Sequence, residues 1–483
     1  MLSRPLSRCF SSRPSSKYDA IVVGGGHNGL TAAAYLAKAG KRVAVMEKRH
    51  VLGGAAVTEE IVKGFRFSRA SYLLSLLRPV VIEELRLKDH GLRYHIRNPN
   101  SFTPVRGTDR SLLLGLDMKK NQAEIAKFST KDAEAFPRYE HEMGRIVQCL
   151  EKLMDHSPLD INETGKLAKI KKLAQLYRTL SPLGWKGSLD LYELMTAPIA
   201  KVMDKWFESD VLKATIGTDG VIGLASSPYD TGAWGYVYGG MGAVSASIAS
   251  AAKEAEAELF TDMAVDEVLT EEGRARGVRV GTQEYHADTV LVGTTPKVAF
   301  LDLLKQGTLP PSFEHSIRAI DYTSPVTKIN VAIKELPNFL CSPSQGKDPM
   351  PHHHTTIHMN SESMRFTPYT RADGEWTKEK KEEYARRVFS QIDEYAPNFS
   401  SSIIGYEILT PPDLEATFGL TGGNIFHGSI SLDQLYWARP VAGHSNFSTP
   451  IEGLFLCGSG AHPGGGVCGS PGRLAAHQVL GKL

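Results

Sequence analysis

Three observations predict that this 483-residue chain is an α/β protein built on a split Rossmann-type dinucleotide domain, with an α+β unit inserted into it. A strand, a glycine turn, a helix and a second strand occupy Tyr18 to Glu47. A second strand, running into a loop of small residues and then a helix, occupies Leu454 to Leu480. The chain between them carries helical and hairpin patterns rather than a continuation of the first motif.

The opening unit has the required order. Tyr18 to Val23 is a short apolar, β-branched run that leads directly into Gly24-Gly25-Gly26-His27-Asn28-Gly29. Leu30 to Ala39 is an Ala-rich helix stopped by Gly40, and Val43 to Met46 is a second buried strand ending at Glu47. In Gly24-x-Gly26-x-x-Gly29 the first glycine makes the tight turn, the second admits a pyrophosphate to the backbone, and the third allows close helix packing. The phosphates are expected at the helix N-terminus, where free N–H groups and the helix dipole favour anions. Glu47 falls where a carboxylate accepts from ribose hydroxyls, and its charge disfavours a 2′-phosphate. Val23, Gly24, Gly26, His27, Asn28, Gly29, Glu47 and Lys48 are therefore candidate cofactor contacts.

Composition narrows the function classes. The chain is 42% hydrophobic and 22% charged, with a formal charge of +2 and no long Lys/Arg block, which excludes a nucleic-acid partner. The uncharged runs Thr231–Ala252 and Gly453–Gly472 hold too many glycines and polar residues for a transmembrane span. Five scattered cysteines, the closest pair eleven apart, form neither a metal site nor a Cys-x-x-Cys redox pair. The 45 glycines are the unusual feature, because 21 of them fall in three stretches, 24–64, 232–242 and 453–472. Clustering of that kind points to backbone shaped around a ligand.

The N-terminus differs from the rest. Met1 to Tyr18 holds Arg4, Arg8, Arg13 and Lys17, many serines and no acidic side chain ahead of Tyr18, the pattern of a cleaved mitochondrial presequence (residues 1–17). Without it the chain has 51 basic against 53 acidic residues. A disordered cytosolic tail is the alternative.

Two further segments carry a family resemblance. Arg49-His50-Val51-Leu52-Gly53-Gly54-Ala55-Ala56 places a glycine pair beyond the ribose-binding acid, and Leu454–Cys457 runs into Gly458-Ser459-Gly460-Ala461-His462-Pro463-Gly464-Gly465-Gly466-Val467-Cys468-Gly469. Both resemble FAD-binding segments of the amine oxidase and phytoene desaturase-like oxidoreductases. The resemblance runs through Asp19–Thr103, Leu194–Ile222, Gly232–His358 and Ile408–His477, and includes Arg69 to Leu76 and Gly422 to His427. It implies FAD as cofactor and adds Gly53, Gly54, Ala55, Val265, Gly458, Ser459, Gly466 and Val467 as contacts. The Gly-Asp usual in many FAD families is Gly458-Ser459 here. The implied organisation is a presequence (1–17), a FAD-binding domain in three parts (18–130, 231–296, 446–483) and a substrate domain in two (131–230, 297–445). The junctions Ser227–Thr231 and Asn360–Phe366 are abrupt compared with the family, which has additional sequence at both.

Between the motifs, Thr130 opens a helix carrying Tyr139, Met143, Ile146 and Leu150 at helical spacing, and Leu194 to Phe207 reads as one further amphipathic helix. Their aromatic and Met positions suit a core better than a substrate pocket. Gly240-x-Gly242 lacks a third glycine, a clean preceding strand and a following acid, which argues against tight NAD(P)H binding. Strands are expected at 264–270, 274–280, 283–286 and 288–293, and a strand at Ser324–Leu336. Lys328 on that strand is a catalytic candidate, because related flavin enzymes use a strand Lys to hold water near the flavin; a solvent-facing Lys is the commoner case. His462 in the glycine loop is the second candidate. The His352-His353-His354 tract with His358 lacks a completing ligand, so no metal is expected. The expected activity is an FAD-dependent oxidoreductase moving hydride from an apolar small molecule to flavin N5 in the mitochondrial matrix, with peripheral association with the inner membrane. A non-catalytic nucleotide-fold binding protein and an NAD(P)H-dependent reductase are the rivals.

Overall fold

A computed structural model describes residues 14–160, 165–221, 235–324, 326–346, 348–359 and 367–481. Residues 1–13 of the expected presequence and both abrupt junctions lie outside the described residues. Ser16 and Tyr18 pair with the backbone of His286, at 2.9 Å each, which ties the segment ahead of the first strand to its surroundings.

The central sheet has five parallel strands: β1 (Ala20–Val23), β2 (Val43–Met46), β3 (Glu258–Phe260), β4 (Thr289–Val292) and β5 (Leu454–Leu456), in the order β5-β4-β1-β2-β3. Ala20 lies beside both Val43 and Thr289. β1 and β2 are buried at every position, as a sheet covered on both faces requires. Helix α1 (His27–Lys38) packs against α2 (Gly242–Glu254) and α3 (Ser470–Val479). The antiparallel strands Glu267–Glu271, Arg274–Val280 and Gln283–His286 form a separate sheet. From β1 the chain runs to β2 and β3 on one side, then crosses over to β4 and β5 on the other, so the strand order reverses at β1. The C-terminal strand ends therefore open a crevice at β1, the usual ligand position in such sheets.

The helical unit follows its sequence pattern with one correction. The helix Thr130–Met154 is capped by the Ser129 hydroxyl, which accepts the Asp132 N–H at 3.1 Å, and it buries Tyr139, Met143 and Ile146 in one cluster. The single helix expected over 194–207 is instead the end of Gly184–Thr196 and the whole of Ile199–Trp206. Pro198 forces the break: the residue before a proline is driven out of the helical region, and Ala197 is extended at φ −87, ψ 149.

A two-stranded sheet pairs Lys328–Ile333 with Ile403–Leu409. It is shorter than the run 324–336. Ile329, Val331 and Ile333 pack toward the helix Lys378–Asp393. The alternating positions, Lys328 and Asn330, face the other way. His352 stacks on Phe102 at 4.8 Å, and His353 Nε2 donates to the Pro337 carbonyl at 2.8 Å, so the His tract is built into local packing.

Candidate active site

The crevice at the end of β1 is a cavity walled by Val23, Gly24, Gly26, His27, Asn28 and Gly29. Glu47, Lys48, Gly54, Ala55, Val265 and Ser459 complete the predicted part of its lining. Gly29 cannot carry a side chain, because a Cβ there would lie 2.1 Å from the Gly24 carbonyl oxygen. Gly26 is different: a Cβ would meet only the Gly54 Cα, at 4.0 Å. The space it leaves is therefore the cavity's own. Helix α1 begins there with no side-chain cap and no acid in its first turn, leaving its N–H groups and positive dipole end available. Glu47 is buried; its Oε2 accepts the Gly25 N–H at 2.7 Å and its Oε1 the Arg49 N–H at 2.9 Å.

The C-terminal loop closes the same cavity from the far end of the chain. Asn28 Nδ2 donates to Ser459 Oγ at 3.1 Å, and His27 Nε2 donates to the Gly466 carbonyl at 3.1 Å, across 431 and 439 residues of sequence. Burial lowers His27 to a pKa of about 4 against the help of that carbonyl. Burial, with Arg439 and His27 nearby, lowers His427 on the cavity wall to about 3. Both imidazoles are neutral at physiological pH.

Four predicted contacts do not line the cavity and act from behind it. Gly53 donates its N–H to the Gly25 carbonyl at 2.8 Å. Gly458 sits against Gly293, Gly466 holds His27, and Val467 belongs to the main core. His462 is directed elsewhere: its Nε2 donates to the Leu153 carbonyl at 2.9 Å, tying the glycine loop to the helical unit, and its ring meets Tyr436 edge-on.

A charged network flanks the Gly54-Ala55 wall. Arg49 donates from Nη2 alone to both Glu59 carboxylate oxygens, at 2.9 and 2.8 Å, Arg69 bridges Glu59 and Glu407, and the two guanidiniums lie 5.2 and 5.7 Å from the Phe418 ring centre. Burial works against the Glu59 charge, but the two arginines hold its carboxyl below the usual range. Asn330 donates to the Arg69 carbonyl at 3.0 Å, which locks the Lys328 strand to this wall. Lys328 is not solvent-facing in the ordinary sense. Its Nζ lies 5.0 Å from the Tyr72 ring centre, and burial lowers its pKa to about 8 despite the Glu407 charge. Ser71, next to Tyr72, donates its N–H to the Ala55 carbonyl at 3.0 Å, so the lysine stands beside the cavity wall without lining it.

These residues suit a pyrophosphate-linked dinucleotide. Asn28 Oδ1 and Arg49 Nη1 are buried at the cavity with no hydrogen-bond partner among the described residues, as polar atoms reserved for a ligand would be. Sequence reasoning missed Met263, Gly293, Thr294, Phe418, Leu420 and His427 in the lining. Gly293 and Thr294 had a signal, since they end a buried strand of the parallel sheet. Phe418 and Leu420 had none, because they reach the cavity from the inserted unit.

A parallel sheet with a dinucleotide crevice, closed by a second glycine loop and flanked by an inserted substrate unit, defines a flavoprotein oxidoreductase. The chain belongs to the family of flavin containing amine oxidoreductases, whose model matches residues 29–480. Its cofactor is FAD, and it is an FAD-dependent oxidoreductase. It is 47% identical to the rat protein called pyridine nucleotide-disulfide oxidoreductase domain-containing protein 2, over 97% of this chain and 94% of that one. It is 26% identical to a limonene dehydrogenase component from Castellaniella defragrans, over 95% and 94% of the two chains. Its fold is similar to that of a putrescine oxidase, with a TM-score of 0.57 at 16% identity, covering 97% and 99% of the chains.

Proposed function

We propose that this enzyme oxidises an apolar small molecule by removing hydride from a C–H bond, and that it works in mitochondria. Bound FAD supplies the two-electron acceptor, its isoalloxazine ring. The chain's own residues bind and orient. Glu47 accepts from the adenosine ribose, the α1 N-terminus and Arg49 hold the pyrophosphate, and Gly54, Ala55 and Ser459 wall the cofactor in. Lys328, with a pKa of about 8, holds a water molecule or takes the proton that the substrate releases alongside the hydride.

The observation that carries this reading is the joining of two glycine loops, from opposite ends of the chain, by Asn28–Ser459 and His27–Gly466 around one cavity. An apolar substrate is supported by the likeness to a limonene dehydrogenase component, and mitochondrial residence by the basic, acid-free N-terminal composition. Anaerobic mixing of the yellow protein with a panel of terpenes, fatty-chain alcohols and amines tests it. Bleaching of the flavin band by an apolar member is expected; bleaching by NADH or NADPH alone would instead identify a nicotinamide-dependent reductase. Targeting is checked by fusing residues 1–17 to a fluorescent reporter and imaging its import.

A further inference from the structure

Two neighbouring helices of the inserted unit each carry an apolar face turned away from the protein. On Lys166–Leu180 these are Leu167, Ile170, Leu173 and Tyr177, with 84%, 62%, 50% and 73% of their surface exposed. On Gly184–Thr196 they are Trp185, Leu189 and Tyr192, at 81%, 49% and 68%. The spacings of three and four residues put each set on one side of its helix. Neither set belongs to the core, because the same segment contributes Leu183 to the buried cluster and packs Leu180, Leu191 and Leu194, partly buried, against it on its inner side. Single exposed apolar residues are ordinary, whereas two ordered stripes separated by the short turn Ser181–Leu183 mark a contact surface.

The surrounding charge selects the occupant. The exposed basic side chains of residues 165–196 are Lys166, Lys171, Arg178 and Lys186, against Asp190 and Glu193, and Glu193 is paired with Lys205. The first helix has no acid at all. We propose that this face docks on the surface of an anionic phospholipid bilayer, with the leucines, Ile170 and the aromatic rings entering the interface and the basic side chains meeting lipid phosphates. Trp and Tyr suit that boundary because each has an apolar body and a polar edge. A second copy of the chain is a poor occupant, since joining two such faces would bring two basic frames together. The helices lie along the membrane rather than through it: 15 residues reach about 22 Å, short of the roughly 30 Å hydrocarbon core. Among the described residues no helix is long and apolar enough to cross.

The docking surface does not depend on the proposed reaction, and flotation reads it without any substrate. Full-length FAD-loaded protein is floated with vesicles of phosphatidylcholine alone or with about 30% phosphatidylglycerol. The wild type is expected to float with the anionic vesicles at least about tenfold more than with the neutral ones. The Ile170→Asn/Tyr177→Ser/Trp185→Ser triple variant, and separately the Lys166→Glu/Lys171→Glu/Arg178→Glu variant, should lose that binding by at least about tenfold while keeping the wild-type flavin spectrum and melting curve. Equal flotation on both vesicle types, or flotation by both variants like the wild type, would overturn the proposal. So would light scattering that finds a wild-type dimer converted to monomer by the triple variant, because a second copy would then own the face.

Discussion

The guanidinium of Arg439 donates to the Ser459 carbonyl through both Nε, at 3.3 Å, and Nη2, at 2.9 Å. Its remaining bonds go to the carbonyls of Phe426, Ser429 and Gln434, and among the described residues it makes no ion pair although it is almost fully buried. One side chain thus fixes the flavin loop to the segment that carries His427. Arg439→Met leaves four carbonyls without their donor, those of Ser459 and Gln434 in buried bonds, and we expect a loss of more than about 3 kcal/mol in urea unfolding, with FAD lost on gel filtration. Arg439→Lys, which keeps the charge but not the fork, should fall between. A methionine variant that melts and retains FAD like the wild type would remove this role.

The two glycines of the first loop separate folding from binding. Gly29→Ala drives a methyl group into the Gly24 carbonyl and is expected to yield misfolded protein. Gly26→Ala meets nothing closer than 4.0 Å and should fold with a wild-type circular dichroism spectrum, yet purify colourless, because the methyl group occupies the cofactor's space. Visible absorbance beside far-UV circular dichroism checks the pair.

Glu47 already anchors the loop through Gly25 and Arg49. Glu47→Gln keeps the side-chain volume but removes the charge and turns one of the two accepting oxygens into an amide NH2 that cannot accept the Gly25 or Arg49 N–H, and a charge-assisted hydrogen bond is worth about 1.5–3 kcal/mol. The Kd for FAD, measured by fluorescence quenching on apoprotein, should rise by about 10–100-fold. An unchanged Kd would mean that the ribose does not contact this carboxylate.

Lys328 makes a pH-dependent prediction. Its amine, with a pKa of about 8, is cationic below that value and neutral above it. If the neutral form accepts the proton, the rate of anaerobic flavin reduction should climb between about pH 7 and 9 with a midpoint near 8, and the climb should vanish in Lys328→Met. The linkage sign agrees in direction: the folded pKa lies below that of an unfolded lysine, so this residue's contribution to stability is least below about pH 8 and grows as pH rises toward about 10. A pH profile shared by wild type and variant would assign the climb to another group.

Cys457 and Cys468 flank the glycine loop, but burial pushes their thiols up to about 12 and about 11, and thiols held protonated are poor nucleophiles. The Cys457→Ala/Cys468→Ala variant should keep its flavin spectrum and its substrate-driven bleaching. Loss of bleaching with the flavin retained would point to thiol chemistry after all.

Much of the cofactor half was legible because its signals are local. The run Tyr18–Glu47 contains its strand, turn, helix and acid within 30 residues, and each follows from β-branching, glycine conformation and helix propensity. The C-terminal loop was legible for the same reason, as was the core face of Thr130–Met154. The helix break at Pro198 was also written locally and is a matter of reading proline strictly.

Long-range arrangement was not legible. Nothing in the sequence aligns Asn28 with Ser459, puts Phe418 under Arg49 and Arg69, or turns His462 away from the cavity toward Leu153. Spacing cannot predict these relationships, because each depends on how separately formed units pack. The sequence by itself determined a dinucleotide crevice and the glycines that shape it. Only the tertiary structure decided which side chains close that crevice, and that a strand lysine is desolvated beside its wall. A buried contact requires two surfaces, and one stretch of chain encodes only one of them.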